Sequence, residues 1–315
     1  MNYWAKPMWI ALTLLAAFMQ SWRNAFQSEL SQQVKVSGVT LARFIWAGPI
    51  AAIYLFSLYQ FQPSDIPSFS HQFYAFVIGA SLMQILATGL MVKLFQLKNF
   101  AVGAGLAKSE ALVAAILGVL FFGTSLSLLG WVGVIVGSVA VMLLSTQRGV
   151  KRLSVNTILL GIGSGVAFAF TSLWVREASL LLIAQPNLAG GISITDTALT
   201  DIPFTHRAAW VLLSVISLQT LILVTYLAIK DRLTLQALWQ RPRLTILISI
   251  CSCIASIGWF SAMSLQEVPY VKTLGQIEVF FTMLISVFWL KQKVKINEVL
   301  GLILIAVAAI LVMWT

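Results

Sequence analysis

Ala107-Lys-Ser-Glu110-Ala-Leu-Val-Ala-Ala-Ile-Leu-Gly118 and Gly275-Gln-Ile-Glu278-Val-Phe-Phe-Thr-Met-Leu-Ile-Ser286 are two segments of one chain, 168 residues apart. Each sets a single carboxylate near the middle of a run otherwise apolar enough to cross a membrane. Such a group at bilayer depth costs roughly 2.5–3.5 kcal/mol on insertion scales, and it is retained where it has a partner or a task. Two of them at one fixed offset point to a polar site between two related halves.

The composition fits that reading. Apolar residues make up 59% of the 315-residue chain and charged residues 10%, and the mean hydropathy is +0.93. A soluble domain has about 25% charged residues, because its surface must face water. Ten apolar runs follow one another, at 7–28, 38–60, 71–93, 100–122, 126–146, 155–178, 207–229, 243–265, 269–290 and 296–315. Each approaches the ~20 residues a helix needs to cross ~30 Å of hydrocarbon. Their continuity, without in-out alternation, excludes a β-barrel. The fold class expected is an all-α membrane protein. The run at 7–28 has no small-residue cleavage site and reads as a retained anchor.

The formal charge of +10 does not indicate nucleic acid as a partner, since the basic residues fall in short loops. Lys35, Lys93, Lys98, Arg148, Lys151, Arg152, Lys230, Arg232, Arg241, Arg243, Lys291, Lys293 and Lys295 all fall on one side of a ten-span topology; Lys6 falls on the other. The positive-inside rule then places both termini outside. Trp4, Trp9, Tyr59, Trp210, Tyr270 and Trp314 lie near run ends, as an interfacial belt requires. The one long connection, 179–206, carries Asp196, Asp201, Pro186, Gly190 and Gly191, and reads as a lid or as an ordinary surface loop.

Residues 81–144 fall on 249–312 without a gap: Ser81 on Ser249, Ala87 on Ala255, Glu110 on Glu278, Val119 on Val287, Gly133 on Gly301 and Ile135 on Ile303. A slightly different offset sets Arg43-Phe-Ile-Trp46 at the start of the second run against Arg207-Ala-Ala-Trp210 at the start of the seventh. Arg23 matches Arg176 more loosely. Each unit has five helices, an odd number, so the second enters the membrane from the opposite side. The expectation is ten transmembrane helices as two inverted five-helix repeats, residues 1–150 and 151–315, related by a pseudo-two-fold axis in the membrane plane.

With this repeat, the Trp22-Arg23-Asn24-Ala25 segment, Arg43, and the tight hairpins at Phe121-Phe122-Gly123 and Trp289-Leu290-Lys291, the chain resembles the drug/metabolite transporter superfamily, in particular its ten-helix EamA-type members. The resemblance spans essentially the whole length. It implies secondary transport of a small metabolite, often export of an amino acid, across a bacterial inner membrane. The long loop at 179–206 departs from the compact plan of that family.

Candidate site residues follow from depth and charge. Glu110 is the eleventh residue of its run, ~16 Å deep at ~1.5 Å per residue, and Glu278 is the tenth of its own. Desolvation there would raise a carboxylate's pKa and let it carry a proton, or the carboxylate binds a cationic group on the substrate. The competing reading is a structural pair, each carboxylate neutralised by a basic partner, in a non-transporting assembly factor, sensor or subunit. Lys108 either receives a substrate carboxylate or pairs with a glutamate on a facing helix. Lys272, near a run end, is expected to snorkel to the interface. Arg23, Arg43, Arg176 and Arg207 form two sets, one per mouth, and act as gates, as an anionic-substrate funnel, or as interfacial anchors. Gly161-xxx-Gly165 and Gly133-xxx-Gly137 are small-residue ridges for close helix packing, and Gly103, Gly105, Gly118 and Gly275 flank the glutamates.

Other chemistries lack their parts. Gly103-Ala-Gly-Leu-Ala-Lys108-Ser109 has Ala107 where a phosphate loop needs glycine. His71 and His206 stand at loop edges, and no hydrolase motif is present, so no enzymatic activity is expected. Cys251 and Cys253, at i and i+2, point to different helix faces and read as core residues. No metal or cofactor is called for. The partners expected are a small-molecule substrate and the bilayer, with the chain a monomer or homodimer.

Overall fold

The computed structural model describes residues 5–96, 107–146, 155–183, 202–288 and 296–315, and these are helical with no strand among them. Helix is the form that apolar runs must take in lipid, because every backbone N–H and C=O then bonds within its own segment. In chain order the helices are α1 (Ala5–Ser31), α2 (Val36–Ala42), α3 (Ala47–Phe61), α4 (His71–Gln96), α5 (Glu110–Phe121), α6 (Leu128–Thr146), α7 (Val155–Leu180), α8 (Phe204–Lys230), α9 (Arg232–Trp239), α10 (Pro242–Leu265), α11 (Val268–Leu274), α12 (Glu278–Phe288) and α13 (Ile296–Met313). Five stretches are long and apolar enough to cross a membrane: Val36–Phe61, His71–Gln96, Val155–Leu180, Phe204–Lys230 and Pro242–Leu265. Large apolar side chains cover the outside, among them Ile53, Phe56, Leu120, Phe121, Leu221 and Ile229. A water-facing surface would not tolerate that much apolar area, whereas a lipid-facing one requires it.

The boundaries follow the apolar runs, with three interruptions. The run 38–60 is not one helix. It breaks at Arg43–Trp46, and α2 starts ahead of it at Val36, so Arg43 sits at an internal turn instead of opening a helix. The run 269–290 is broken by a 3-10 turn, Gly275–Ile277, between α11 and α12. In the run 100–122 a turn at Lys108-Ser109 precedes α5. Each break holds a polar residue (Arg43, Gln276, or Lys108 and Ser109), but hydropathy averaged over a whole run hides it. The connection after α8 also holds the short helix α9, whose N-cap Asp231 accepts from the Thr234 N–H at 3.2 Å and pairs with Lys35 at 2.7 Å.

Four pairings of long helices build the body: α4 along α7, α1 along α10, α6 along α13, and α3 along α8. Small residues permit them. A Cβ on Gly258 would stand 2.7 Å from the Leu12 carbonyl oxygen and 2.9 Å from the Ala16 methyl, so α1 and α10 approach to backbone contact there. Gly133 packs α6 against Ala308 and Val312 of α13, and Gly165 of α7 leaves room for the turn that ends at Glu110. Gly123 turns the α5–α6 hairpin with a positive φ of 64°. Tyr270 and Trp9 are buried instead of joining an interfacial belt, and the Tyr270 hydroxyl accepts from the Ser127 N–H at 3.0 Å. Cys251 and Cys253 are free thiols.

Most of the loop 179–206, Gly103, Gly105, the hairpin Trp289-Leu290-Lys291, and the basic residues Lys98, Arg148, Lys151, Arg152, Lys293 and Lys295 lie outside the described residues.

Replacing Gly258 with Leu is expected to force α1 from α10 and to cost about 1–3 kcal/mol. A fall in the unfolding midpoint of the purified protein, absent for Ile53→Leu on the outer surface, checks this.

Candidate functional site

Both glutamates open helices. Glu110 is the first residue of α5 and Glu278 the first of α12, each directly after a break. The backbone stays right-handed helical through both turns: the Ala111 N–H donates to the Lys108 carbonyl and the Glu278 N–H to the Gly275 carbonyl, so each glutamate follows a tightened turn. The residues are 7% and 2% exposed, so these charges have left bulk solvent and depend on local partners.

The partners are exchanged between the two segments. Lys108, in the turn before α5, pairs with Glu278 of α12. Lys272, on α11, pairs with Glu110 of α5 at 2.8 Å. Neutral donors complete each shell. The Ser172 hydroxyl donates to Glu110 at 2.8 Å, while Asn24 and Gln20 donate to Glu278 at 2.7 and 2.5 Å. Gln20 in turn accepts from the Trp259 indole N–H at 2.9 Å, and the Lys272 ammonium sits 4.4 Å above the Trp259 ring. One polar chain therefore runs from Glu110 through Lys272, Trp259 and Gln20 to Glu278 and Lys108.

These side chains border a cavity of about 30 Å³, with Gln84 and Ser256 also on its wall. That is room for one or two water molecules. Arg23 and Arg43 border it too. The Arg23 guanidinium donates to Asn24 Oδ1 at 2.8 and 3.2 Å, and Arg43 donates to the Thr88 hydroxyl at 2.7 Å and stacks 5.9 Å from the Phe168 ring centre.

The four arginines are placed in two different settings. Arg23 and Arg43 belong to the cavity wall; Arg176 and Arg207 do not. Arg176 closes the end of α10 instead, donating to the Met263 and Gln266 carbonyls at 2.7 Å and pairing with Glu267 at 2.6 Å. Arg207 is buried in the first turn of α8. Lys272 does not snorkel outward, because Glu110 and the face of Trp259 hold it inside. Lys108 meets a glutamate on a facing helix, one of the two roles its depth allowed. Gln20, Ser172 and Trp259 were not among the expected residues. The spacing of Gln20, Arg23 and Asn24, at i, i+3 and i+4, does mark one polar face of α1 and could have found two partners of Glu278.

No family model matches this chain, and no curated protein does. Twenty-seven chains of solved structures match. One, described only as a crystal structure of a protein, superposes with a TM-score of 0.66 over 98% of this chain and 97% of its own, at 14% identity. That likeness shows a shared fold over nearly the full length and carries no activity with it.

Removing one member of a buried pair leaves the other uncompensated. Lys108→Met is expected to cost about 3–5 kcal/mol, and Lys108→Met with Glu278→Gln much less than the sum of the two single changes. Unfolding of the three variants in detergent measures the coupling; additive losses would contradict it.

Proposed function

We propose that this chain is a secondary active transporter of the ten-helix EamA type within the drug/metabolite superfamily. It would export a small polar metabolite such as an amino acid across a bacterial inner membrane, with both termini outside. The observation that carries the reading is the crossed pair of buried Lys–Glu bridges around a water-sized cavity. Purely cohesive charges need no cavity between them.

The inverted-repeat reading is supported by how the helices pair. Exchanging the two halves turns the α1–α10 contact into the α7–α4 contact, the two most extensive of their kind, and maps α6–α13 and α3–α8 onto themselves. The broken helices at Glu110 and Glu278 add to it, since discontinuous helices at mid-membrane are where such folds build binding sites. With about 30 Å³ the cavity admits water but no metabolite, as a site between its two open states would.

Coupling follows from the bridges. Protonation of Glu110 or Glu278 removes the counter-charge of a buried lysine, whose cost then favours a rearrangement that brings in solvent or substrate. The same bridges also suit a non-transporting protein in which they serve cohesion alone. Proteoliposomes carrying an internal pH dye separate the two. Proton flux on addition of an amino-acid mixture is expected for the native protein, with at least a ~10-fold loss in Glu110→Gln and Glu278→Gln. Undiminished pH-driven flux in both variants refutes coupling. No flux from any preparation, with both variants unfolding early, favours the structural role.

A further inference from the structure

We propose that the cavity, once widened from its water-sized form, binds an organic anion, with an oxyanion group of the ligand held between Arg23 and Arg43. The proposal rests on the reading above for the cavity's role in transport, and it names the ligand class which that reading left open.

The argument is a charge balance. Four cationic side chains, Arg23, Arg43, Lys108 and Lys272, border the cavity against two carboxylates, Glu110 and Glu278. Both carboxylates are taken by the lysines. The arginines are left with neutral partners only, Asn24 and Thr88. Arg23 is 1% exposed and Arg43 3%, and the Arg23 Nη1 and Arg43 Nε atoms are buried with no hydrogen-bond acceptor. A buried guanidinium with an idle N–H lacks compensation that a carboxylate or phosphate supplies well, because its planar fork matches their paired oxygens. A cationic ligand would add to an existing excess of positive charge in a site of low dielectric, which opposes its entry.

The test is a thermal-unfolding titration of the purified full-length protein at constant ionic strength. The probes are succinate, L-glutamate and glycerol 3-phosphate against cadaverine and choline. Succinate and glycerol 3-phosphate separate carboxylate from phosphate as the favoured oxyanion. At least one anion is expected to raise the midpoint by about 3–8 °C at saturation, while the cations leave it unchanged. Arg23→Lys and Arg43→Lys keep the charge and are expected to weaken that anion at least ~10-fold. Lys35→Gln, far from the cavity, is expected to leave it as it was. Stabilisation by cadaverine or choline, stabilisation by none of the probes, or unaltered affinity in both arginine variants overturns the proposal. Anion binding without flux in proteoliposomes leaves this inference standing and sinks the transport reading; flux of a cation does the reverse.

Discussion

The structure depends on charges that cannot leave and cannot stay alone. Glu110 and Glu278 are buried in a protein whose outer surface is lipid-compatible, so bulk water does not offset them. Each is held by a lysine from the other segment and by neutral donors from α1 or α7. The crossing has a mechanical consequence: the turn carrying Lys108 is tied to α12, and α11 is tied to α5. A movement that parts these segments must first release a bridge, and release costs energy unless a proton, water or ligand takes the vacated place.

The breaks in the helices make the crossing possible. Interrupting the helix just before each glutamate sets a first turn at the cavity wall. Gly165 lets α7 pass beside the turn at Lys108-Ser109, and Gly275 lies within the other break, against the Trp259 ring. Small residues near the glutamates thus serve local backbone geometry as much as space for a ligand. Trp259 fills a double role, offering its face to Lys272 and its N–H to Gln20.

Much of this was legible in the sequence. Seven of the ten apolar runs gave helix limits within a few residues, from Ala5–Ser31 through Ile296–Met313, because lipid leaves the backbone no alternative, while 38–60, 100–122 and 269–290 are interrupted. The offset of 168 residues singled out both glutamates, and depth singled out Lys108. Other features were hidden for physical reasons. Helix breaks depend on which backbone N–H groups find partners, and apolarity does not encode that. Lys272 looked shallow because depth was counted along the chain, which does not encode that Glu110 and the Trp259 ring stand beside it. Arg176 matched Arg23 in order along the chain, yet it serves the exposed carbonyls at the end of α10, a demand set by where that helix stops.

The central claim is that the crossed bridges face an aqueous cavity reached from one side of the membrane at a time. Ser256, 5% exposed and on the cavity wall, reports on it directly once Cys251 and Cys253 are replaced by Ser. Labelling of Ser256→Cys in sealed vesicles with a membrane-impermeant thiol reagent, applied from each face in turn, is the decisive measurement. The account expects modification from either face, with a ratio that shifts with pH. A thiol that stays unmodified from both faces at every pH would contradict it.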